Sequence, residues 1–474
     1  MIIVSATLLL LYAAFYFFVA NGLIRGKLHL VFLYSVVLFP VYMLFITNNF
    51  KGFESMLLVN LIQYSKEGII FSAMAIWFLG QKKLVNKQWS ISVLDSLFLA
   101  FLGLAFLFFL LGLGEATVVN RAIYLKNILL IGVFYFLGRN VRLSFTQWNG
   151  AFKAIFITTV IASIVIVIEK ISGTHFHSIS GHIDYYSFIE AKDLEGSYGL
   201  GWTFEAAGGA PRYGSFFAHP LELAASMLMV GSIGLIYFIS VPYRTNKYKY
   251  LFILFCTIVC LLLSYSRAAF ASFFLMLGFI AFLLRYYKII GIGVVILTLI
   301  GFYIVFFSAN EILYFVLDTI SFENSSSVTH LMDWLEAVES MLSNPMGIGL
   351  AMSGNAGGVE KDLIVGGENQ YLIYGVQMGF LGMFLYMGML FYGIRNSWRA
   401  FRKSKTRQEG IVPFVAASVK FGMLLPLFTA NAEAYLYISL VSWWLIGAAE
   451  TTYQNSRKTA VFHQIKPSQV GLSR

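Results

Sequence analysis

Long apolar runs alternate with polar segments along the chain, and most runs approach the ~20 residues that a helix needs to cross a bilayer. The runs lie at 2–20, 30–46, 56–80, 91–113, 120–138, 150–168, 221–241, 248–264, 267–285, 288–308, 369–394, 411–429 and 434–449. They predict an all-α, polytopic membrane protein with about 12–13 transmembrane helices. The third run is the least regular, because Lys66 and Glu67 interrupt it.

Two longer polar intervals separate these runs into groups. The predicted divisions are N-terminal helices at 1–168, a first long loop at 169–220, central helices at 221–308, a second long loop at 309–368, C-terminal helices at 369–449 and a tail at 450–474. Inside the second loop, apolar side chains recur at helical spacing until Asn344-Pro345 ends the pattern. We expect an amphipathic helix there, either on the membrane surface or covering the bundle. Its apolar positions are Val328, Leu331, Met332, Leu335, Val338 and Leu342.

Composition excludes a soluble enzyme. Of the 474 residues, 59% are hydrophobic and 12% are charged, whereas about 25% of a soluble chain is charged. The mean hydropathy is +0.76. The two cysteines, Cys256 and Cys260, lie one helical turn apart in an apolar run, which argues against a disulfide framework and a structural zinc site.

The basic residues orient the predicted helices. Assigning alternate loops to one side, starting with 21–29, puts 23 of the 33 Lys and Arg residues on that side. Of the 23 acidic residues, Asp95, Glu409 and Glu450 alone fall there. This bias identifies the cytoplasmic side, so both long loops are predicted to face outward. The net charge of +10 then reflects topology and gives no argument for nucleic-acid binding.

Some basic residues fall inside the predicted membrane. Lys420 lies about 13 Å deep at 1.5 Å per residue, and Lys66 and Lys126 also lie within predicted helices. Such cations are costly unless they face a partner or a wet cavity. A local ion pair, such as Lys66 with Glu54 or Glu67, is one explanation. The other is an anionic ligand such as a phosphorylated or pyrophosphorylated lipid.

Three short segments carry the candidate chemistry. Residues 211–220 read Pro-Arg-Tyr-Gly-Ser-Phe-Phe-Ala-His-Pro before a predicted helix, and residues 264–269 read Ser-Tyr-Ser-Arg-Ala-Ala at a turn. The third segment comprises Asn-Pro-Met-Gly-Ile-Gly-Leu at 344–350, Gly-Glu-Asn-Gln-Tyr-Leu at 367–372 and Gly-Phe-Leu-Gly at 379–382. In this order and placement, they resemble the O-antigen polymerase and O-antigen ligase superfamily of bacterial inner-membrane proteins. The resemblance extends over about residues 205–395.

The resemblance implies a metal-independent glycosyltransferase of the type-C membrane class, without a cofactor, that uses undecaprenyl-pyrophosphate-linked glycans at the periplasmic face. Arg212 and Arg267 match the arginines held to bind the donor pyrophosphate. Ligases have a His-Asn pair where this chain has Glu368-Asn369, a form that resembles the polymerases. The resemblance therefore favours polymerisation of O-antigen, capsule or exopolysaccharide repeat units. Its implied partners are the lipid bilayer, the lipid-linked glycans, a chain-length regulator and a flippase.

The chemistry of such a transfer suggests roles for particular residues. Fixed arginines stabilise the charge that develops on a leaving pyrophosphate, and Glu368, at the mouth of a helix, is the candidate base for the attacking hydroxyl. An acid at that position also favours the helix dipole, so a purely structural role stays open. His219 and His330 are rival bases. The candidate substrate-binding residues are His219, His330, Asn369, Tyr371, Lys420 and Lys126.

Two other functions fit part of the pattern. An O-antigen ligase or a protein O-oligosaccharyltransferase would share the three motifs. A polysaccharide or lipid transporter would have as many spans and intramembrane cations. A transporter is expected to show internal repeats and broken helices, and the sequence has no convincing self-similarity.

The charge pattern makes a direct prediction about topology. Reporter fusions should place Gly357 outside the cytoplasm and Ser404 inside it, because the basic loops are retained on the cytoplasmic side. Reporter activity at both positions on the same side would overturn the assignment of spans.

Overall fold

The protein is built from helices. A computed structural model describes residues 2–80, 91–190, 193–206, 209–240, 247–299 (except 289, 294, 296 and 297), 325–354 and 364–465. Within these residues there is no β-strand, and one isolated antiparallel bridge joins Glu205 to Pro211. The structure confirms the all-α fold class that the apolar runs predict.

The helices follow the predicted runs closely. The N-terminal group is α1 (Ile2–Ile24), α2 (Leu30–Leu38), α3 (Tyr42–Phe53), α4 (Met56–Leu79), α5 (Val93–Leu111), α6 (Val118–Asn140) and α7 (Phe145–Ser172). The first long loop contains α8 (Phe176–Ile179) and α9 (His182–Glu190), and the central group is α10 (Pro220–Ser240), α11 (Tyr248–Leu263) and α12 (Arg267–Leu283). The remaining helices are α13 (Ser325–Ser343), α14 (Gln370–Lys403), α15 (Arg407–Thr429) and α16 (Leu436–Ile465).

Eight helices in the described part of the chain are long and apolar enough to cross a membrane. They are α1, α2 together with α3, α5, α6, α7, α10, α14 and α15. The apolar helices α11 and α12 are shorter than 18 residues, and the predicted run at 288–308 lies largely outside the described residues. The polytopic membrane class is confirmed, and the count of 12–13 spans stays a prediction. The first part of the predicted tail, 450–465, continues α16.

Small residues allow α6 and α16 to pack at the centre of the bundle. A Cβ atom on Gly138 would overlap the carbonyl of Trp444, and a Cβ atom on Gly447 would overlap the carbonyl of Tyr135. Helices in apolar surroundings associate through such close backbone approach. Trp443 and Trp444 are fully buried beside this contact.

Residues that the charge pattern assigns to the cytoplasmic side meet at one end of the bundle. The Nε atom of Arg139 lies 3.4 Å from Oδ1 of Asp95, and its Nη1 donates to the Thr451 hydroxyl at 3.2 Å. At the same end, the Asn396 amide donates to Glu450 at 2.8 Å. The opposite end carries the three motif segments, and we call it the motif end.

The amphipathic helix predicted in the second long loop is present as α13. It packs on α14 through Ala337 and Met341, which are 3% and 2% exposed and lie in one cluster with Val376. The predicted apolar positions face outward instead: Met332 is 63% exposed and Leu342 is 67% exposed. One face of α13 therefore covers the bundle, and its apolar stripe is free to contact lipid.

Lys420 forms a buried ion pair with a carboxylate that the sequence pattern did not indicate. Its Nζ atom lies 3.5 Å from Oε1 of Glu433 and 3.7 Å from the centroid of the Trp443 ring. Glu433 also accepts hydrogen bonds from the Tyr386 hydroxyl at 2.5 Å, from Nε1 of Trp443 and from the Ser439 hydroxyl. This network joins α14, α15 and α16 inside the core.

The other two intramembrane lysines lie near each other on α4 and α6. Lys126 forms an ion pair with Glu67 at 2.6 Å. Lys66 is 6% exposed, and its Nζ atom lies 4.0 Å from the centroid of the Tyr42 ring. Glu67 therefore does serve as a local partner, although it binds Lys126 rather than Lys66 directly.

Removal of the Glu433 carboxylate should destabilise the protein strongly. Glu433→Ala leaves the buried Lys420 ammonium and three hydrogen-bond donors without their acceptor, and breaking such a buried pair costs about 3–5 kcal/mol. Lys420→Met should cost less, because the carboxylate keeps its three donors. Thermal unfolding of the purified variants in detergent measures both effects. Equal melting temperatures for Glu433→Ala and the wild type would contradict the assigned role.

Candidate functional site

A backbone hydrogen bond connects the first motif segment to the helix end that precedes the second. The amide of Tyr213, next to Arg212, donates to the carbonyl of Leu263 at 3.2 Å. Leu263 is the last residue of α11, and the turn that follows leads to Arg267 at the start of α12. This contact brings the segments that carry the two arginines to the same place at the motif end.

Arg212 has unused hydrogen-bonding capacity. It is partly buried, and its Nε atom is buried without a hydrogen-bond partner among the described residues. Burial lowers the pKa of its guanidinium, and the positive charge of nearby Arg267 lowers it further, whereas Tyr435 and Glu368 act in the opposite direction. Two arginines that repel each other across a partly buried site favour a ligand with several negative charges.

Arg267 occupies a position where a cation does not help the helix. It is the first residue of α12, after Ser266, whose hydroxyl accepts a hydrogen bond from the Ala269 amide at 3.4 Å. The positive end of the helix dipole lies there and disfavours a cation. Because the side chain is exposed, its charge is available to an anion at the same helix end.

Glu368 and His330, rivals for one role in the sequence analysis, contact each other. The Nδ1 atom of His330 on α13 lies 2.6 Å from Oε2 of Glu368, just before α14. The hydrogen bond to Glu368 raises the pKa of His330, against the effects of burial and of Arg267. The side chains are 30% and 50% exposed, respectively. The second long loop thus contributes an imidazole–carboxylate pair within electrostatic range of both arginines.

A break in α14 positions the glycine-rich part of the third motif. The backbone leaves the helical conformation at Met378 and Gly379, where Gly379 has φ +69° and ψ −176°. The freed carbonyls of Val376 and Gln377 accept hydrogen bonds from the amides of Ile348 at 2.8 Å and Gly349 at 3.1 Å. Ile348 and Gly349 thereby replace the missing helical hydrogen bonds and dock against α14.

His219 and Asn369 each directly precede a helix. The Nδ1 atom of His219 accepts a hydrogen bond from the Glu222 amide at 3.3 Å, and its ring lies 5.0 Å from that of Tyr435. Burial lowers the pKa of His219 to about 4, which keeps the ring neutral at neutral pH. Asn369 caps α14 by accepting hydrogen bonds from the amides of Tyr371 and Leu372. Both side chains have a structural use beside the roles that the sequence predicted.

The other predicted substrate-binding residues have partners elsewhere. The Tyr371 hydroxyl donates to the Leu424 carbonyl at 3.1 Å. Lys126 and Lys420 form the ion pairs with Glu67 and Glu433 described above, and Lys420 is 1% exposed. The structure therefore brings together Arg212, Arg267, Glu368, His330 and His219, and it gives both lysines carboxylate partners in the bundle.

Tyr435 belongs to the cluster although the sequence analysis did not select it. It lies beside His219, and the charges of Glu368, Glu222 and Arg212 all act on its hydroxyl. Tyr435 follows the short turn Ala432–Ala434 between α15 and α16. In the sequence, the polar residues between the last two apolar runs could have drawn attention to this turn. Their spacing, however, does not relate them to the three motif segments.

The match to known proteins falls on the central motifs. Residues 251–387 match the family model described as O-antigen ligase (Wzy_C). The resemblance to the O-antigen polymerase and ligase superfamily is confirmed. The matched segment contains Arg267, His330 and Glu368, whereas Arg212 precedes it. It supports a glycosyltransferase-like membrane enzyme of polysaccharide synthesis. No curated protein matches the chain.

The break in α14 predicts opposite effects for two glycines on one helix. A methyl group on Gly379 would overlap the backbone of Pro345 and Met346, and a positive φ costs a non-glycine residue about 1–3 kcal/mol. Gly388, farther along α14, would meet Leu97 at an ordinary 3.4 Å. Gly379→Ala should therefore lower the melting temperature, whereas Gly388→Ala should leave it unchanged or raise it. If Gly388→Ala lowered the melting temperature more than Gly379→Ala did, the break in α14 would be unimportant for stability.

Proposed function

We propose that the protein polymerises lipid-linked oligosaccharide repeat units. In this reaction, glycan is transferred from undecaprenyl pyrophosphate to a lipid-linked acceptor at the periplasmic face of the bacterial inner membrane. One observation carries the proposal: Arg212, whose buried Nε has no hydrogen-bond partner among the described residues, lies within electrostatic range of Arg267 and of the His330–Glu368 pair. The chain-length regulator and the flippase are proposed partners of the same pathway step.

The two arginines are suited to the leaving group. Breaking the bond between the anomeric carbon and the pyrophosphate oxygen leaves additional negative charge on the pyrophosphate. Guanidinium groups bind phosphate oxygens with two parallel hydrogen bonds and stabilise this charge without reorganisation. The Nε atom of Arg212, which has no partner in the part of the chain that the structure describes, is one such donor. The lipid tail would remain in the bilayer while the pyrophosphate occupies the motif end.

Glu368 is suited to receive the proton of the attacking hydroxyl. Its Oε2 atom contacts His330, which leaves Oε1 for the acceptor, and the side chain is half-exposed. His330 fixes the orientation of the carboxylate, as a general base requires. In this assignment Glu368 takes the proton, Arg212 and Arg267 hold the leaving group, and Asn369 fixes the start of α14, which follows Glu368.

An O-antigen ligase is the second candidate. The resemblance gives ligases a histidine at the third motif, where this chain has Glu368. In the structure, an imidazole is nevertheless present 2.6 Å away, supplied by His330 from α13. This observation favours a ligase more than the sequence alone did, so the acceptor has to be tested directly.

One assay separates the two candidates. Purified protein is given a single lipid-linked repeat unit as its sole substrate. A polymerase accepts this species at both substrate sites and should produce a ladder of longer lipid-linked chains, whereas a ligase lacks its acceptor and should leave the substrate unextended. Absence of a ladder, under conditions in which the substrate is shown to bind, would rule out the polymerase.

Variants in the same assay test the roles of the residues. Glu368→Gln keeps size and most hydrogen bonding but removes the base, so the rate should fall by about 10²–10⁴-fold. Arg212→Lys keeps charge but loses paired hydrogen bonds, and activity should fall strongly while protein level holds. Glu409→Gln, an exposed acid at the start of α15, is the control. A full ladder from Glu368→Gln would show that another group, or none, acts as base.

A further inference from the structure

The first long loop contains buried histidines packed around one aromatic ring. His175, His177 and His182 are 3%, 4% and 5% exposed. Their rings lie 6.0, 4.6 and 5.2 Å from the ring of Phe204. Buried imidazoles carry a desolvation cost that alternative apolar side chains would avoid, so the hydrogen bonds that they make need an explanation.

Two of these histidines bind the segment that carries Arg212. The Nε2 atom of His175 lies 3.1 Å from the carbonyl oxygen of Arg212 itself, and Nε2 of His177 lies 2.7 Å from the carbonyl oxygen of Phe217. A carbonyl only accepts, so Nε2 carries the proton in both rings. Burial lowers the pKa of His175, while its bond to Arg212 acts in the other direction.

Other contacts hold the rest of this segment but leave the arginine's carbonyl to His175. Glu169, near the end of α7, accepts hydrogen bonds from the amides of Ser215 at 2.9 Å and Phe176 at 2.7 Å. The Arg212 amide donates to the carbonyl of Phe204 at 2.9 Å. The peptide unit before the Arg212 side chain is therefore held by Phe204, and the one after it is held by His175 at the carbonyl and by Leu263 at the Tyr213 amide.

The His175 ring itself is held in one orientation. Its centroid lies 4.8 Å from that of Tyr198 and 5.0 Å from that of Tyr213. With the ring packed between two aromatic side chains, the Nε2–H vector has little freedom. A donor that is held rigidly in this way restricts the orientation of the peptide group to which it is hydrogen-bonded.

We propose that His175 is a positioning residue, which orients the Arg212 guanidinium toward the pyrophosphate of the substrate by binding the Arg212 carbonyl. This inference rests on the proposed function, because it takes the ligand of Arg212 to be a lipid pyrophosphate. His175 itself does not touch the ligand. A displacement of about 1 Å in a group that binds the reacting centre can cost on the order of 100-fold, so one backbone hydrogen bond is sufficient for the effect.

The test uses two substitutions that separate the hydrogen bond from the ring. His175→Phe keeps the aromatic packing and removes the donor. His175→Gln loses the ring but keeps an amide N–H that reaches as far as Nε2. The full-length protein in nanodiscs is titrated with undecaprenyl pyrophosphate, and each variant is also made in the Arg212→Ala background. His182→Phe, which removes another imidazole of the same cluster, is the control, and thermal unfolding verifies that each variant is folded.

If His175 acts through Arg212, the effects of substitutions at the two residues on lipid binding should be non-additive. His175→Phe should weaken binding about 10–100-fold in the presence of Arg212, and His175→Gln should recover most of that loss. In the Arg212→Ala background, His175→Phe should change binding by no more than about twofold, because the group through which it acts is absent. His182→Phe should leave the Arg212-dependent part of binding unchanged.

Several outcomes would overturn the proposal. One is a His175→Phe variant that binds undecaprenyl pyrophosphate with wild-type affinity. Another is a loss of affinity that is equally large in the Arg212→Ala background, which would mean that the histidine acts only through the fold. Failure of His175→Gln to restore binding would also contradict it. Because binding is independent of chain extension, a wild type that binds the lipid without forming a ladder removes the polymerase alone. A wild type that does not bind the lipid overturns both proposals.

Discussion

The candidate site depends on the break in α14 at Met378 and Gly379. Carbonyl groups that lose their helical hydrogen bonds in apolar surroundings need other donors. The amides of Ile348 and Gly349 are these donors. This requirement holds the loop after α13 against α14. Since α13 also packs on α14 through Ala337 and Met341, the helix that carries His330 is fixed relative to Glu368, which lies just before the cap of α14.

Charge compensation separates the structural cations from the candidate binding cations. Within the described residues, Lys126 and Lys420 each contact a carboxylate, and the cost of placing them in the bundle is thereby reduced. Arg212 instead lies near enough to Arg267 for that positive charge to lower the Arg212 pKa, in addition to the larger effect of burial. Such mutual repulsion is unfavourable without a ligand. In the proposed function, the pyrophosphate would relieve this repulsion and would bind at the arginines rather than in the core.

The contact between His330 and Glu368 changes how the third motif is interpreted. By sequence, the glutamate replaces the histidine expected of a ligase, and the difference favours a polymerase. In space, the two functional groups are present together, although they come from different parts of the second long loop. The distinction between the two activities therefore depends on which acceptor the site admits, and a substitution at one motif position is a weaker argument than it first appeared.

The sequence by itself determined the membrane class, the helices along the apolar runs and the amphipathic α13, and it selected the segments with Arg212, Arg267 and Glu368 as candidates. Hydropathy and helical periodicity are local properties, so a single chain displays them. Only the tertiary structure decided that Glu433 neutralises Lys420, that His330 contacts Glu368, that Tyr435 joins the cluster and that His175 binds the Arg212 carbonyl. These contacts connect residues far apart in the chain, 37 positions in the last case, and no spacing rule relates such residues before the helices pack.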